Sequence, residues 1–316
     1  MPNPDATPGT LESLRAESLR LRRGLVATNT VLGYRYDVQM YTAWCEQFDL
    51  VALPSSPETL ALYLTDLLSQ GKKITTARRR KCAIVHEHRT LGLPSPASVE
   101  VMELLRGAQR LRGEKPRQMR PITVPELRRM SGRLAGIGTA IAMRDRALLV
   151  VGFASALRRS ALGALNLADV EFCRQGLILQ IGRDKEDQNG VGRLVGLVRG
   201  KHPDTDPVRV LRDWLRVRGA ARPGPLFPRL DRKHEGLPLD GQSICRIVKK
   251  ALMGIEIDPI QSGAHSLRSG AVTVLAEANV SALRISAFTG QSPEIVRRYF
   301  RRSEIWRNNA GASLGL

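Results

Sequence analysis

Apolar positions recur at helical spacing through most of the chain. In its first part, the segments LESLRAESLRLRR, YDVQMYTAWCEQF and PETLALYLTDLLSQG carry apolar residues three and four positions apart, which is the pattern of amphipathic helices. Gly33, Pro54, Gly71 and Gly92 interrupt this pattern, as residues that end helices do. We therefore predict a helical N-terminal domain over residues 1–112.

A basic stretch without periodicity follows this domain. The segment GEKPRQMRPIT contains two prolines, which is typical of a connection between domains, and we assign residues 113–121 to a linker. A second domain is predicted over residues 122–316. It opens with TVPELRRM, in which Thr123 and Glu126 are three positions apart, the spacing of a capping box at a helix N-terminus.

The hydrophobic period shortens between Asp169 and Val198. DVEF, GLILQIG and RLVGLV are short β-prone runs, and Asn189-Gly190 lies between the last two, where such a pair favours a tight hairpin. Helical patterns return in DPVRVLRDWLRVRG and SLRSGAVTVLAEA. The expected fold is mainly α with a small antiparallel β-sheet in the C-terminal domain, so that a helical domain precedes an α+β domain.

The charge of the chain restricts its partners. Its 316 residues include 49 basic and 30 acidic side chains, a net charge of +19, which points to a polyanion such as nucleic acid. We find no apolar stretch long enough to span a bilayer, and the opening MPNPDATPGT is polar and rich in proline, unlike a signal peptide. We therefore expect a cytoplasmic protein that does not bind membranes.

The cysteines indicate neither disulfides nor a metal. Cys45, Cys82, Cys173 and Cys245 lie far apart and form no CxxC pair, which argues against a disulfide framework and against structural zinc. We expect no cofactor and no metal.

Three motifs of the second domain carry candidate chemistry. In AHSLRSG, His265 and Arg268 share one face at the beginning of a predicted helix, where free N–H groups favour a phosphate. Arg158 follows a hydrophobic helix, and Lys185 precedes a predicted hairpin turn, where a guanidinium could bind phosphate and an amine could donate a proton. Taken singly, each is more readily explained as a solvated charge on a basic surface.

Tyr299 lies in SPEIVRRYF between pairs of arginines. Their positive field favours a phenolate, whose reference pKa is about 10. The alternative is an aromatic side chain that anchors its helix, a role that Phe300 could share. In the first domain, TTARRRKC is a dense basic run on a predicted helix, which indicates either a solvated face or phosphate contacts; we favour DNA binding by Arg78, Arg79, Arg80 and Lys81.

These motifs occur in an order that resembles the tyrosine recombinase family, the phage integrases. The order is an arginine after a helix, a lysine near a hairpin, H-x-x-R opening a helix, and a glycine-led turn before a tyrosine. LGYRYDVQMYTAWCEQ, TARRRKCAIVHEHRTLGLPSP and LLRGAQRLRGEKPRQMRPIT resemble the family's N-terminal core-binding domain and linker, and ITVPELRR onward resembles its catalytic domain. The likeness covers nearly the whole chain.

The resemblance implies a role for each residue. Arg158 and Arg268 would bind the non-bridging oxygens of the scissile phosphate, and His265 would hold or exchange the tyrosine's proton. Lys185 would protonate the leaving 5′-hydroxyl. Tyr299 would attack phosphorus and form a 3′-phosphotyrosine. Phosphoryl transfer needs mainly positioning and charge stabilisation, which two guanidinium groups can supply.

Two positions depart from the family's pattern. Ala161 stands where an acidic residue is common. Gln291 follows Gly290, where the family has histidine or tryptophan, and Tyr299 comes only eight positions later instead of nine, which leaves open whether Gln291 or Ser292 faces the phosphate. A glutamine amide donates a hydrogen bond but does not titrate near neutrality.

The resemblance also implies partners and an activity. We expect a site-specific recombinase of double-stranded DNA that works through a Holliday junction, as a homo-tetramer on two DNA sites. The free protein would be a monomer or dimer, and the DNA-bound protein would be associated with the nucleoid. The tail, residues 303–316, would pack on its own domain or dock on a neighbouring protomer. Two alternatives are a DNA-binding relative that has lost the chemistry and a type IB-like topoisomerase.

Overall fold

The computed structural model describes residues 10–11, 13–14, 17–18, 28–113, 119–182, 192–219 and 223–307. The chain divides into two compact units, Met1–Pro116 and Arg117–Leu316. Among the described residues, no helix is both long enough and apolar enough to cross a membrane.

The first unit is helical. Its helices with described bounds are α1 Thr28–Gln47, α2 Pro57–Ser69, α3 Ile74–Leu91 and α4 Val99–Arg112. The side chain of Ser56 accepts a hydrogen bond from the Thr59 N–H and Pro57 occupies the first turn of α2, so both residues favour a helix start at this point. The helices enclose an apolar core that includes Tyr41, Cys45, Leu60, Tyr63, Leu64, Ile74, Ile84 and Leu105.

The second unit begins with three helices and a sheet. The elements are α5 Val124–Ile137, α6 Ala140–Ala154, α7 Arg159–Ala164, β1 Val170–Phe172, β2 Gly176–Ile181 and β3 Arg193–Val198. The capping box at the start of α5 is confirmed, because Thr123 Oγ1 accepts from the Glu126 N–H and the Glu126 carboxylate accepts from the Thr123 N–H.

The predicted sheet is confirmed as well. It is antiparallel with strand order β1-β2-β3, and Leu179 at its centre is opposite Val170 on one side and Val195 on the other. Leu177, Leu179 and Ile181 alternate into the core, as the period of two along a strand requires. The fold is therefore mainly α with a small three-stranded antiparallel sheet.

Five further helices complete the second unit within the described residues. They are α8 Pro207–Arg218, α9 Gly241–Met253, α10 Ala264–Glu277, α11 Ala282–Thr289 and α12 Pro293–Arg307. The central helix α6 is buried on every side from Arg144 to Phe153. After three charged residues at the start of this stretch, residues 147–153 are apolar throughout, as in a helix that is buried all round. The core joins α6 to the sheet and to α8, where Trp214 Nε1 donates to Leu226 O at 2.8 Å.

Close packing fixes the position of α10 in this unit. A Cβ atom on Gly270 would lie 2.1 Å from Ile122 O and 2.8 Å from a ring carbon of Phe153, so only glycine lets the helix approach this backbone. The Ile122 N–H donates to Ser266 O at 3.1 Å. The segment before α5 therefore holds α10, the helix that carries the H-x-x-R motif.

Candidate active site

Arg268 is fixed inside the second unit. Its side chain is 1% exposed, and Nη1 donates to Ala156 O at 2.7 Å. Ala156 has a φ of +49°, a left-handed conformation that turns the chain between α6 and α7. Two residues later Arg158 lies part-buried at the N-cap of α7. The hydrogen bond thus joins α10 to the turn that presents Arg158.

His265 is an exposed residue in the N-terminal turn of α10, between the buried Ala264 and Ser266. Loss of water around the ring lowers the pKa of His265 below 6.5, and the charges of Arg268, Arg158 and Arg159 lower it further. Each of these effects disfavours a second positive charge on the imidazole. The ring is therefore neutral at neutral pH and can accept a proton.

Tyr299 has one of the two roles that the sequence left open, packing within its own unit, and its role as the attacking nucleophile stays a prediction. It packs against the small apolar cluster of Val272, Ala276, Ile285 and Val296, so it does anchor its helix. Burial raises the pKa of Tyr299 above 10.0, whereas a hydrogen bond from Gln291 and the charges of Arg268 and Arg298 lower it. The arginine field that the sequence predicts is present, but burial outweighs it because a buried phenolate loses its hydration.

Gln291 faces the phenol of Tyr299. Its side chain is 6% exposed, whereas Ser292 is exposed. Gln291 Oε1 is among the buried atoms of the described residues that have no hydrogen-bond partner, so the amide N–H group is the donor to Tyr299. The backbone of the turn is held as well, because the Gln291 N–H donates to Thr289 Oγ1 at 3.3 Å and Ser286 Oγ donates to Gln291 O.

Arg193 contacts the same turn and was not found by sequence reasoning. It begins β3, and its Nη1 donates to Phe288 O at 2.6 Å. A Cβ atom on Gly290 would lie 3.3 Å from Arg193 Nε, and Gly290 itself has a φ of +69°. An arginine at the start of a strand in a basic chain gives no signal in one sequence, because the contact joins residues 95 positions apart.

Lys185 lies outside the described residues, and its role remains a prediction. Ala161 is part-buried and packs against the main core, so the position that is commonly acidic in the family is apolar here. The described residues contain no group of three or more His, Cys, Asp or Glu side chains that could hold a metal ion.

The basic run of the first unit divides into outward and inward side chains. Arg78 and Arg79 are exposed, and Arg79 Nη2 lies 2.9 Å from Asp37 Oδ1. Arg80 is only 11% exposed in its side chain and lies 3.8 Å from the same carboxylate. It also donates to the Tyr63 hydroxyl. The Lys81 amine lies 3.6 Å from Met102 Sδ. DNA binding by these residues stays a prediction, and the geometry favours Arg78 and Arg79 for it.

The chain is similar to known proteins along nearly its whole length. The model of the phage integrase family matches residues 122–304. An integrase/recombinase XerD homologue of Selenomonas ruminantium is 31% identical over 315 residues, which cover 95% of this chain and 90% of the relative. A tyrosine recombinase of Synechococcus elongatus is 27% identical over 81% of this chain and 79% of its own length.

Solved structures share the fold. The Tn1549 transposon integrase in complex with circular intermediate DNA has a TM-score of 0.60 at 19% identity, covering 93% of this chain and 98% of that one. The XerH site-specific recombinase bound to a palindromic difH substrate has a TM-score of 0.60 at 17% identity, covering 82% and 70%. Since the family model spans more than half of the sequence and the Selenomonas relative aligns along nearly all of it, this chain belongs to the phage integrase family, whose members are tyrosine recombinases.

Proposed function

We propose that this protein is a site-specific DNA recombinase that cleaves and rejoins DNA through Tyr299. One arrangement carries the proposal: Arg268 is buried one turn after His265 in α10 and donates to Ala156 O in the turn before Arg158. Its charge also lowers the pKa of both His265 and Tyr299. A nucleophile, a neutral proton acceptor and a fixed positive charge therefore lie around one point, as phosphoryl transfer needs. The net charge of +19 supports DNA as the substrate.

The reaction follows from these roles. Tyr299 Oη attacks phosphorus while its proton passes to His265, which is neutral at the start. Negative charge develops on the equatorial oxygens, where Arg268 and Arg158 stabilise it. The bond to the 5′-oxygen breaks, and that oxygen takes a proton, for which the family resemblance implies Lys185. The 3′-phosphotyrosine keeps the energy of the phosphodiester, so a 5′-hydroxyl can reverse the step and rejoin a strand.

Gln291 contributes to this reaction in two ways. Its amide N–H group holds the phenol, which limits the orientations of the attacking oxygen. It cannot exchange a proton near neutrality, so the proposal assigns the proton from Tyr299 to His265. The family's exchange of strands between two DNA sites, in a tetramer and through a Holliday junction, is part of the same proposal.

Trapping the covalent intermediate tests this function. Nicked duplexes tiled across the DNA that flanks the protein's own gene would release a short 5′-hydroxyl fragment on cleavage and leave the protein attached. We expect a covalent protein–DNA band from the wild type and from the exposed control Tyr36→Phe. We expect none from Tyr299→Phe, because the substitution removes the attacking oxygen.

The other outcomes decide between the alternatives. If no duplex gives a band with the wild type although DNA is bound, the protein is a DNA-binding relative without the chemistry. If a band forms and supercoils are relaxed but two separate sites never recombine, the activity is that of a type IB-like topoisomerase.

A further inference from the structure

Arg193 connects the sheet to the turn before the nucleophile. It stands opposite Ile181 in the register of β2 and β3, so the pairing of the strands fixes its backbone. Its Nη1 donates to Phe288 O at 2.6 Å. Phe288 is the last residue but one of α11, where helix carbonyls have no partner within the helix. A guanidinium that binds such a carbonyl holds the end of the helix in place.

The guanidinium also covers the residue that turns the chain. Gly290 caps α11 in the left-handed conformation, and the place of its missing Cβ lies 3.3 Å from Arg193 Nε and 3.4 Å from Cζ. Gln291 follows directly, and its N–H donates to Thr289 Oγ1. The orientation of Gln291 toward Tyr299 therefore depends on a short turn that Arg193 contacts from one side.

We propose that Arg193 is a positioning residue: by binding Phe288 O and packing on Gly290, it fixes the turn that presents Gln291 to Tyr299. The inference rests on the proposed function, since it concerns the placement of that nucleophile. It predicts that Arg193 acts on the rate of cleavage through Gln291, and neither on DNA affinity nor directly on the phosphate. A misplacement of about 1 Å can slow a reaction by about a hundredfold.

Two single variants and their combination test this coupling. Arg193→Gln, Gln291→Ala and the double variant would be assayed for formation of the covalent complex in single turnovers on a nicked duplex that the wild type cleaves. Affinity for the uncleaved duplex and the melting temperature would be measured on the same proteins. Arg129→Gln is the matched control, because Arg129 Nη2 also donates to a backbone carbonyl, that of Ile255, at 2.7 Å but contacts no residue of this turn.

We expect Arg193→Gln to reduce the rate of cleavage, and we expect the effects of the Arg193 and Gln291 substitutions on that rate to be non-additive. Arg193→Gln should cleave about 10- to 100-fold more slowly, while its DNA affinity and melting temperature change no more than those of Arg129→Gln. The double variant should be no slower than the slower single variant, because residues that act as a unit are not additive. Arg193→Lys keeps a donor and a charge but not the flat guanidinium, and should be slowed less, by about threefold to tenfold.

Any of the following results would contradict the inference. If Arg193→Gln cleaves as fast as Arg129→Gln, the contact does not position the nucleophile. If the two losses multiply in the double variant, Arg193 acts independently of Gln291, as a charge near the phosphate would. Should Arg193→Gln fail to fold, Arg193→Lys takes its place in the cycle, and a wild-type rate then refutes the role. Absence of the covalent complex from the wild type itself refutes the proposed function, and this inference with it.

Discussion

Replacing Arg268 by methionine should separate catalysis from DNA binding. The side chain is almost fully buried, and the proposed reaction uses its guanidinium to stabilise the charge that develops on the phosphate. Removing one donor of this kind costs about 2.7–4 kcal/mol in the transition state, which is a factor of about 10² to 10³ in rate. DNA affinity should fall only about threefold, because a single phosphate contact among several is lost.

The same variant has a smaller effect on stability. Methionine is unbranched and apolar but shorter than arginine, and it leaves Ala156 O without the Nη1 donor at 2.7 Å; an unsatisfied buried acceptor costs about 1–3 kcal/mol. Removal of a buried charge offsets part of that cost. We therefore expect a melting temperature lower by at most about 10 °C, since each 1 kcal/mol shifts a domain of this size by about 2–4 °C.

A matched arginine makes the measurement decisive. Arg218 Nε donates to Pro225 O at 3.0 Å in the same unit, but Arg218 does not belong to the candidate site, so Arg218→Met should reduce stability without slowing cleavage. Covalent-complex formation in single turnovers, binding to the uncleaved duplex and thermal denaturation would be compared for both variants. If Arg268→Met loses no more cleavage rate than affinity, or no more rate than Arg218→Met, the assignment of Arg268 to the phosphate is wrong.

Two further predictions concern α10. Because the pKa of His265 is lowered below 6.5, its neutral form persists to mildly acidic pH. The midpoint of the fall in cleavage rate at subsaturating DNA should therefore lie below pH 6.5, and a midpoint above 6.5 or a fall that persists in His265→Ala would contradict the assignment. Gly270→Ala would place Cβ 2.1 Å from Ile122 O and should lower the free energy of unfolding by about 1–3 kcal/mol. Gly132 lies in a helix with open space around it, so Gly132→Ala should raise the free energy of unfolding by up to about 1 kcal/mol. Thermal denaturation of both variants tests this contrast.

Much of the fold follows from local pattern. The capping box at Thr123 and Glu126 and the alternation along β2 depend on residues a few positions apart, so one sequence is enough to predict them. The order of the motifs likewise indicated the family. The hydrogen bond from Arg268 to Ala156 O joins residues 112 positions apart, and a periodic pattern in the sequence cannot predict a contact between residues so distant.

Burial explains the differences between expectation and structure at charged positions. The neighbours of Tyr299 in sequence suggest a lowered phenol pKa, yet the packing of α12 against Val272 and Ile285 raises that pKa. Tertiary packing of this kind cannot be predicted from the neighbouring residues in the sequence. In the first unit, adjacent arginines differ in their exposure to solvent because a helix rotates by about 100° per residue. Arg79 reaches solvent while Arg80 turns inward to Tyr63.

The same rotation gives the arginines of this basic helix different contacts. Asp37 is fully buried, and burial raises its pKa although Arg79 and Arg80 lower it. A carboxylate in that position would be costly without its partners, and it has a hydrogen bond from Arg79 at 2.9 Å and the charge of Arg80 at 3.8 Å. Arg80 also donates to the Tyr63 hydroxyl, so it is not free to follow a DNA backbone. Arg79 also binds this carboxylate but keeps half of its side chain exposed, which leaves it, with Arg78, able to meet a phosphate. The density of charge in TTARRRKC is therefore explained in part by ion pairs with a buried carboxylate, and DNA contacts by Arg78 and Arg79 stay a prediction.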